Sequence, residues 1–440
     1  MSILHNKDHE LIRRDPALRG LPFLLNPARL LELLSSRLNT SGLSEFRLSY
    51  VRYKPGMNCL GRYEFQFNGS TQIAHAKAFS VDADLKLAKS EEVPQVESPL
   101  GPGRLVLPEQ GVFFSFFPND LKLRSILRLG DQAERGRLLG RIFNDSEAWG
   151  ETPDTILNYK PERRLVLRIS GPGDSSSTVK FYTRREFSRN MHLRKRNPKS
   201  ASVLMPRCIG ASRKHCAFAF EWTPGETLRS YSSDPANREK HFREAGQLIA
   251  RYHTGHASGL GVESDAVGSQ ALGALANQLA FLLPGLGEKA RDLAAGLQSS
   301  LGGAAKELCP VHGDFYDKQI IVGTDGLSLI DFDRAHRGSA CEDLACFLAH
   351  QEWLAMKSQG SRRDDISRMS AEFLAGYADA GGHFDHGQLA AWTALYLFRL
   401  SHNPFRDRLS NWPGQIAKIL QRAEDLLCAG PECSRKTGQG

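Results

Sequence analysis

The stretch H312-G-D-F-Y-D-K-Q319, followed by I330-D-F-D333, decides how this chain is read. It puts His, Asp and Gln in one loop and two further aspartates just past a short apolar segment. Asp and Gln side chains are costly to bury without partners. A second acidic pair nearby raises that cost unless something positive lies between. The intervening I320-I-V-G-T-D-G-L-S-L-I330 is two apolar runs around the turn signal GTDG, which predicts a hairpin. A hairpin folds back on itself, so Gln319 before its first strand and Asp331 at the end of its second are brought close. Hard divalent cations take such oxygens, and Mg2+ uses one or two carboxylates together with phosphate oxygens. The positive partner implied is Mg2+ carrying a nucleotide. Asp314, on the same loop as Gln319, is then placed to accept a proton from a substrate hydroxyl.

The rest of the chain sets the bounds. Its 440 residues are enough for two or three domains, and 41% hydrophobic with 24% charged residues is ordinary for a globular protein. The first residues, MSILHNKDHELIRRD, lack the apolar core of a signal peptide. No run approaches the ~18 apolar residues of a membrane span. A cytoplasmic protein with no membrane partner is expected. The eight cysteines (59, 208, 216, 309, 341, 346, 428 and 433) form no C-x-x-C pair, which predicts reduced thiols and neither a disulfide framework nor a zinc site. His5 and His9 have helical spacing but no third ligand nearby, as in a solvated terminus. The net charge of +8 suits an anionic ligand such as a nucleotide, and also nucleic acid. The densest basic run, RREFSRNMHLRKRNPK from Arg184 to Lys199, reads as an amphipathic helix with a wet face. Aromatic residues do not interleave with its charges as a single-strand groove requires, so no nucleic-acid partner is expected. Nothing in the sequence sets the oligomeric state.

A repeat organises the first half. Residues 51–63 (VRYKPGMNCLGRY) correspond to 157–169 (LNYKPERRLVLRI), with the Tyr-Lys-Pro triplets 106 residues apart and Arg62 and Arg168 at the same offset. Each copy runs on to an alternating strand with a lysine, AHAKAF (74–79) and TVKFY (178–182). VFFSFFP ending at Pro118 matches AFAFEWTP ending at Pro224, and LRSI from Leu123 matches LRSY from Leu228. Pro27–Leu38 and Gln132–Phe143 both have helical apolar spacing. Four matches in one order indicate a duplicated α+β module built on an antiparallel sheet. Only the second copy continues into a helical region, with helical spacing over 245–255, 364–380 and 389–400.

H312-G-D314 with a ligand type five residues on, then I-D331-F-D333, then G338-S-A-C-E-D343-L-A together resemble the aminoglycoside phosphotransferase superfamily, which includes choline, fructosamine and sugar kinases. The family motif is His-Gly-Asp-x4-Asn, and this chain has Gln319 where Asn is usual, as bacterial maltokinases do. The resemblance covers 151 to about 430 and implies an α+β, protein-kinase-like two-lobe fold: an antiparallel-sheet N-lobe and a mainly helical C-lobe, preceded here by the duplicated N-lobe-like module. The expected division is 1–130 (repeat module), 131–225 (N-lobe), 226–430 (helical lobe with the catalytic loop) and 431–440 (polar tail). The resemblance further implies Asp314 as catalytic base, Gln319 and Asp331 as Mg2+ ligands with Asp333 assisting, and Lys180 as the lysine on the nucleotide phosphates. It makes Glu221, Trp222 and Thr223 the hinge that reads adenine, and the glycine-free turn K160-P-E-R-R164 the cover of the phosphates, with Arg163 or Arg164 supplying charge. Glu186 is the nearest candidate for the lysine's helix partner, and Asp343 would brace the catalytic loop. Lys77 is the counterpart of Lys180.

Each element alone has a plain reading: a packed histidine at 312, a strand-end aspartate at 331, a solvated strand lysine at 180, a helix N-terminal acid at 343. Their joint order favours the kinase reading: ATP- and Mg2+-dependent transfer of the γ-phosphoryl group to a hydroxyl of a small acceptor, sugar-like or aminoglycoside-like. The basic charge and lack of a dense acidic pocket tilt the acceptor from aminoglycosides toward a neutral or anionic molecule. The alternative is a pseudokinase-type nucleotide-binding or scaffold protein without turnover, favoured by Gln319 and the glycine-free turn.

Overall fold

A computed structural model describes residues 5–80, 82–144, 154–171, 175–194, 203–231, 235–255, 260–262, 269–303, 308–358 and 361–429. The tail 431–440 with Cys433, and the end of the basic run at 195–199, lie outside the described residues. The chain forms two compact units. The first contains residues 1–188, 208–222 and 403–413, and the second 189–207, 223–402 and 414–440.

The first unit holds two five-stranded antiparallel sheets. Strands β1 (Leu43–Lys54), β2 (Asn58–Phe67), β3 (Ser70–Phe79), β4 (Arg104–Leu107) and β5 (Val112–Phe116) are ordered β1-β2-β3-β5-β4. Strands β6 (Thr155–Lys160), β7 (Arg164–Ser170), β8 (Ser176–Tyr182), β9 (Cys208–Ser212) and β10 (Ala217–Glu221) repeat that order as β6-β7-β8-β10-β9. The order follows from the connections. Tight turns pair consecutive strands, and the helix after each third strand (Ala83–Glu91, Arg184–Arg194) lets the chain cross before the last two. Each central strand carries a lysine in equivalent register: Lys77 opposite Leu60 and Phe113, Lys180 opposite Val166 and Phe218.

The helices leading into the sheets start where the sequence supplies caps. Asn26 accepts the Arg29 backbone N–H at 3.2 Å ahead of Pro27–Ser35, and Asp131 accepts that of Glu134 at 2.8 Å ahead of Gln132–Phe143. The second helix buries Leu138, Leu139 and Ile142 against Tyr159, Leu165, Leu167, Ile169, Val179 and Phe181 of the second sheet. Each such side chain contributes roughly 1.5–3 kcal/mol when fully buried. Leu123 and Ile126, which precede residue 131, belong to the same core.

The second unit is mainly helical. Its long helices are Pro235–His253, Ser269–Leu282, Gly287–Leu301, Ala340–Lys357, Ser361–Asp379, His386–Leu400 and Trp412–Cys428. Two small sheets sit among them. Strands β11 (Glu226–Thr227), β13 (Ile320–Gly323) and β14 (Gly326–Leu329) form one, and β12 (Cys309–Val311) and β15 (His336–Gly338) the other. The hairpin expected around GTDG is β13–β14, with Ile320 opposite Leu329. Among the described residues no helix is long and apolar enough to cross a membrane.

Candidate active site

Strand β12 delivers the His312-Gly313-Asp314 loop, and a buried acid holds that loop. Asp343, fully buried in the first turn of Ala340–Lys357, accepts the backbone N–H of His312 at 2.7 Å and of Gly313 at 2.9 Å. His253 Nε2 donates to the same carboxylate at 3.1 Å, and its Nδ1 lies 3.0 Å from the Tyr377 hydroxyl. Burial pushes the Asp343 carboxyl up. The bond and charge of His253, the charge of His312 and the backbone N–H outweigh it and hold the carboxyl below its ordinary range. Gly313 has φ +77°, and a Cβ there would run into the Arg334 carbonyl oxygen, so only glycine fits. His312 is buried and packed, its Nε2 donating to the Ile330 carbonyl at 2.9 Å.

Asp314 follows, half-buried. Among the described residues its carboxylate has no hydrogen-bond or ion-pair partner. Gln319 is 7% exposed, and its side-chain amide likewise has no protein partner among the described residues. The Ile330 N–H donates to the Gln319 carbonyl at 3.0 Å, which extends the hairpin by one pair and brings Gln319 beside the 330–331 peptide. Asp331 has φ +66°, a conformation that costs a non-glycine residue about 1 kcal/mol or more. Asp333 is half-buried two residues on. Tyr316 links these groups. Burial raises its phenol pKa, and the charges of Asp314 and then Asp331 add to the rise, which puts both carboxylates in its neighbourhood. Its ring stacks on His350 at 4.1 Å between centroids, and burial, opposed by Asp317 and Asp314, pushes His350 down to about 4. The imidazole is therefore neutral at pH 7.

Asp317 was not singled out by sequence reasoning. It is buried, takes a two-pronged bond from Arg229 at 2.6 Å on each oxygen, and accepts Gln351 Nε2 at 3.0 Å. The available signals were its place in the quoted loop and the recurrence of Leu-Arg-Ser in LRSY. The pair fixes the loop below Asp314 to the β11 segment.

The remaining candidates lie in the first unit, apart from Thr223, which belongs to the second. Lys180 is 8% exposed, with its Nζ 5.4 Å from the Phe220 ring centre. Arg163 is exposed, 3.9 Å from Glu186, whose carboxylate also accepts the Thr183 hydroxyl at 3.2 Å. Arg164 opens β7 opposite Tyr182. Glu221 closes β10, and the Trp222 ring lies under the Arg168 guanidinium at 4.4 Å. The chain passes between units after Trp222, where the sequence predicts a hinge.

Gln319, Asp331 and Asp333 offer one amide and two carboxylate donors. Among the described residues no three His, Cys, Asp or Glu side chains gather to hold a metal by themselves. Such a donor set, with a buried amide lacking a protein partner, suits a hard cation completed by phosphate and water, and does not suit zinc.

The sequence model of the Phosphotransferase enzyme family (APH) matches residues 148–392, more than half of the chain. The chain belongs to this family. It is a phosphotransferase, and the family match begins before β6, leaving the first sheet outside it. Comparison with curated protein sequences finds no match. Among solved structures, a thermostable mutant of aminoglycoside phosphotransferase APH(4)-Ia is 11% identical, covering 66% of this chain and 96% of its own, with a TM-score of 0.49. Amicoumacin kinase hAmiN in complex with AMP-PNP, Ca2+ and Ami is 12% identical, covering 66% and 92%, with a TM-score of 0.46. A choline/ethanolamine kinase family protein from Mesorhizobium loti is 14% identical, covering 69% and 95%, with a TM-score of 0.45.

Proposed function

We propose that this phosphotransferase is an ATP-dependent small-molecule kinase that moves the γ-phosphoryl group to a hydroxyl of a small acceptor. One observation carries the reading. Asp343 takes both N–H groups of the His312-Gly313 backbone, so the loop is rigid, while the next side chain, Asp314, has no protein partner among the described residues. A carboxylate held on a fixed loop without a partner is what a hydroxyl-orienting base requires.

In this reading Asp314 accepts a hydrogen bond from the acceptor hydroxyl, aligns its oxygen on the phosphorus and takes up its proton. Lys180 and Arg163 or Arg164 neutralise the nucleotide phosphates, and Glu221 to Thr223 seat the adenine through backbone groups. Gln319 and Asp331, with Asp333 beside them, would hold Mg2+, which supplies charge neutralisation between phosphate oxygens when bound. Arg229 and Gln351 keep Asp317, and with it the loop, in place. The acceptor class favoured is neutral or anionic, sugar-like rather than polycationic, since the chain carries net charge +8.

The test is ADP release from Mg-ATP across sugars, amino alcohols and aminoglycosides, with Asp314→Asn alongside. Turnover should depend on one acceptor class and fall by 10²–10⁴-fold in the variant, the usual contribution of a general base, with nucleotide binding retained. Undiminished turnover in Asp314→Asn would remove it from that role. Gln319 and the glycine-free turn favour a second reading, a nucleotide-binding protein without turnover. A melting temperature raised by Mg-ATP, with no ADP released on any acceptor, would select it.

A further inference from the structure

The turn Lys160–Arg164 is closed by the Arg163 N–H donating to the Lys160 carbonyl at 3.0 Å, with Pro161 and Glu162 as its central residues. The first sheet has the same turn at Lys54–Met57, closed at 3.0 Å, with Pro55 and Gly56 in those places. Both third residues have positive φ, +68° at Gly56 and +59° at Glu162. Such a turn favours glycine at this position. The first copy has glycine there and the second has glutamate, in a conformation that disfavours any side chain. The Glu162 carboxylate is also buried, its side chain 1% exposed, which adds a desolvation penalty. A residue that carries two unfavourable terms where glycine carries neither is held by its surroundings for a reason.

Those surroundings come from the first sheet and the segment that follows it. Lys77 Nζ lies 2.8 and 2.6 Å from the two Glu162 oxygens. Arg52 donates to Glu162 at 3.3 Å and to the Pro161 carbonyl at 3.2 Å, and Lys122 stands 3.3 Å from the carboxylate. Asp120 accepts the Glu162 backbone N–H at 2.7 Å and the Tyr159 hydroxyl at 2.8 Å. Arg62 donates to the Tyr159 carbonyl at 3.2 Å. The Glu162 carboxylate, the Glu162 N–H and the Pro161 carbonyl are thus tied to residues outside the second sheet, while Arg163 stays exposed. Lys77 occupies in its sheet the register that Lys180 occupies in the other, and its charge is spent on Glu162. It is not available for a nucleotide of its own.

We propose that the first sheet is a positioning device for the second: Lys77, acting through the Glu162 carboxylate, locks the Lys160–Arg164 turn in the one conformation that receives the nucleotide phosphates. This rests on the reading that the turn covers those phosphates. Lys77 touches no substrate and acts as a positioning residue. The lock also removes the negative charge of Glu162 from the face that phosphates approach.

The test measures the dissociation constant of a fluorescent N-methylanthraniloyl ADP with Mg2+ on the full chain, well below each variant's melting temperature. Lys77→Met/Glu162→Gly removes both charges and supplies the glycine the turn prefers, so it should melt within a few degrees of the unaltered protein. Its nucleotide affinity should fall at least tenfold. Lys77→Arg, which restores the charge, should stay within threefold. Should the double variant fail to fold, Lys77→Gln, which keeps a hydrogen bond to Glu162 without the charge, should show the same tenfold loss. Binding within threefold of normal in the folded double variant, or in Lys77→Gln, would overturn the proposal and leave the pair a matter of stability alone. Failure of the unaltered protein to bind the probe would instead overturn the nucleotide reading of the turn, and this proposal with it.

Discussion

At the scale of the residue, Asp343 shows how a buried charge is tolerated. It sits fully buried with three donors converging on it, two of them backbone N–H groups of the loop that presents Asp314. Removing the acceptor leaves those donors unsatisfied, at about 1–3 kcal/mol each. Asp343→Ala should therefore destabilise the second unit by about 3–5 kcal/mol, read as a lowered urea midpoint. The pH dependence has a definite sign. A carboxyl whose folded pKa lies below its unfolded value of about 3.9 adds stability above that pH and loses it as pH falls through the folded value. The gap in urea midpoint between the unaltered protein and Asp343→Asn should be wide at pH 7 and narrow below about pH 4. A gap of constant size from pH 7 to pH 3 would mean that the carboxylate's charge contributes nothing.

At the scale of the element, two helix glycines discriminate propensity from packing. Gly→Ala inside an exposed helix should stabilise by up to about 1 kcal/mol. At Gly273, in Ser269–Leu282, an added Cβ would meet nothing within 4 Å, so Gly273→Ala should raise the melting temperature. At Gly376, in Ser361–Asp379, the same atom would fall into the Arg243 carbonyl of Pro235–His253, and a Cβ at Gly246 would fall into the Phe373 carbonyl. The two helices therefore cross with their backbones in contact. Gly376→Ala should destabilise by about 1–3 kcal/mol, reversing the sign that propensity gives. A rise in melting temperature for Gly376→Ala would show that the helices do not approach so closely. Helical spacing in the sequence announced both helices, but the value of each glycine depends on a neighbour more than a hundred residues away.

At the scale of the molecule, the two sheets of the first unit do not share out the chain at residue 131. Leu123 and Ile126 fill the core of the second sheet, Asp120 caps their turn by accepting the Lys122 and Leu123 N–H groups at 2.8 and 2.9 Å, and Glu162 is buried against Lys77. A chain beginning at residue 131 would lose those apolar contacts and uncover the core residues that Leu123 and Ile126 pack against. It should show no cooperative thermal transition and should bind a hydrophobic dye at room temperature. A cooperative melt within a few degrees of the full chain would show that the second sheet needs nothing before 131. The segment 403–413, which follows the helices of the second unit, returns to the first unit. There Arg408 pairs with the buried Asp8 at 2.7 Å, and Phe405 packs on Tyr53.

The sequence by itself determined what is local or periodic. The hairpin between Gln319 and Asp331 follows from two apolar runs and a turn signal. The helices follow from spacing and from caps such as Asn26 and Asp131. The same strand order in both sheets follows a repeat visible as Tyr-Lys-Pro at one offset, and His-Gly-Asp with its downstream acids named the family. Only the tertiary structure decided where charges meet across long separations. No pattern links Lys77 to Glu162, Arg229 to Asp317, or His253 to Asp343, because burial and ion pairing depend on three-dimensional proximity and leave no period in the chain. For the same reason the turn that reads as Arg163 and Arg164 in sequence is governed in space by Glu162. A glutamate in a left-handed conformation is stable there only because another sheet surrounds it with positive charge.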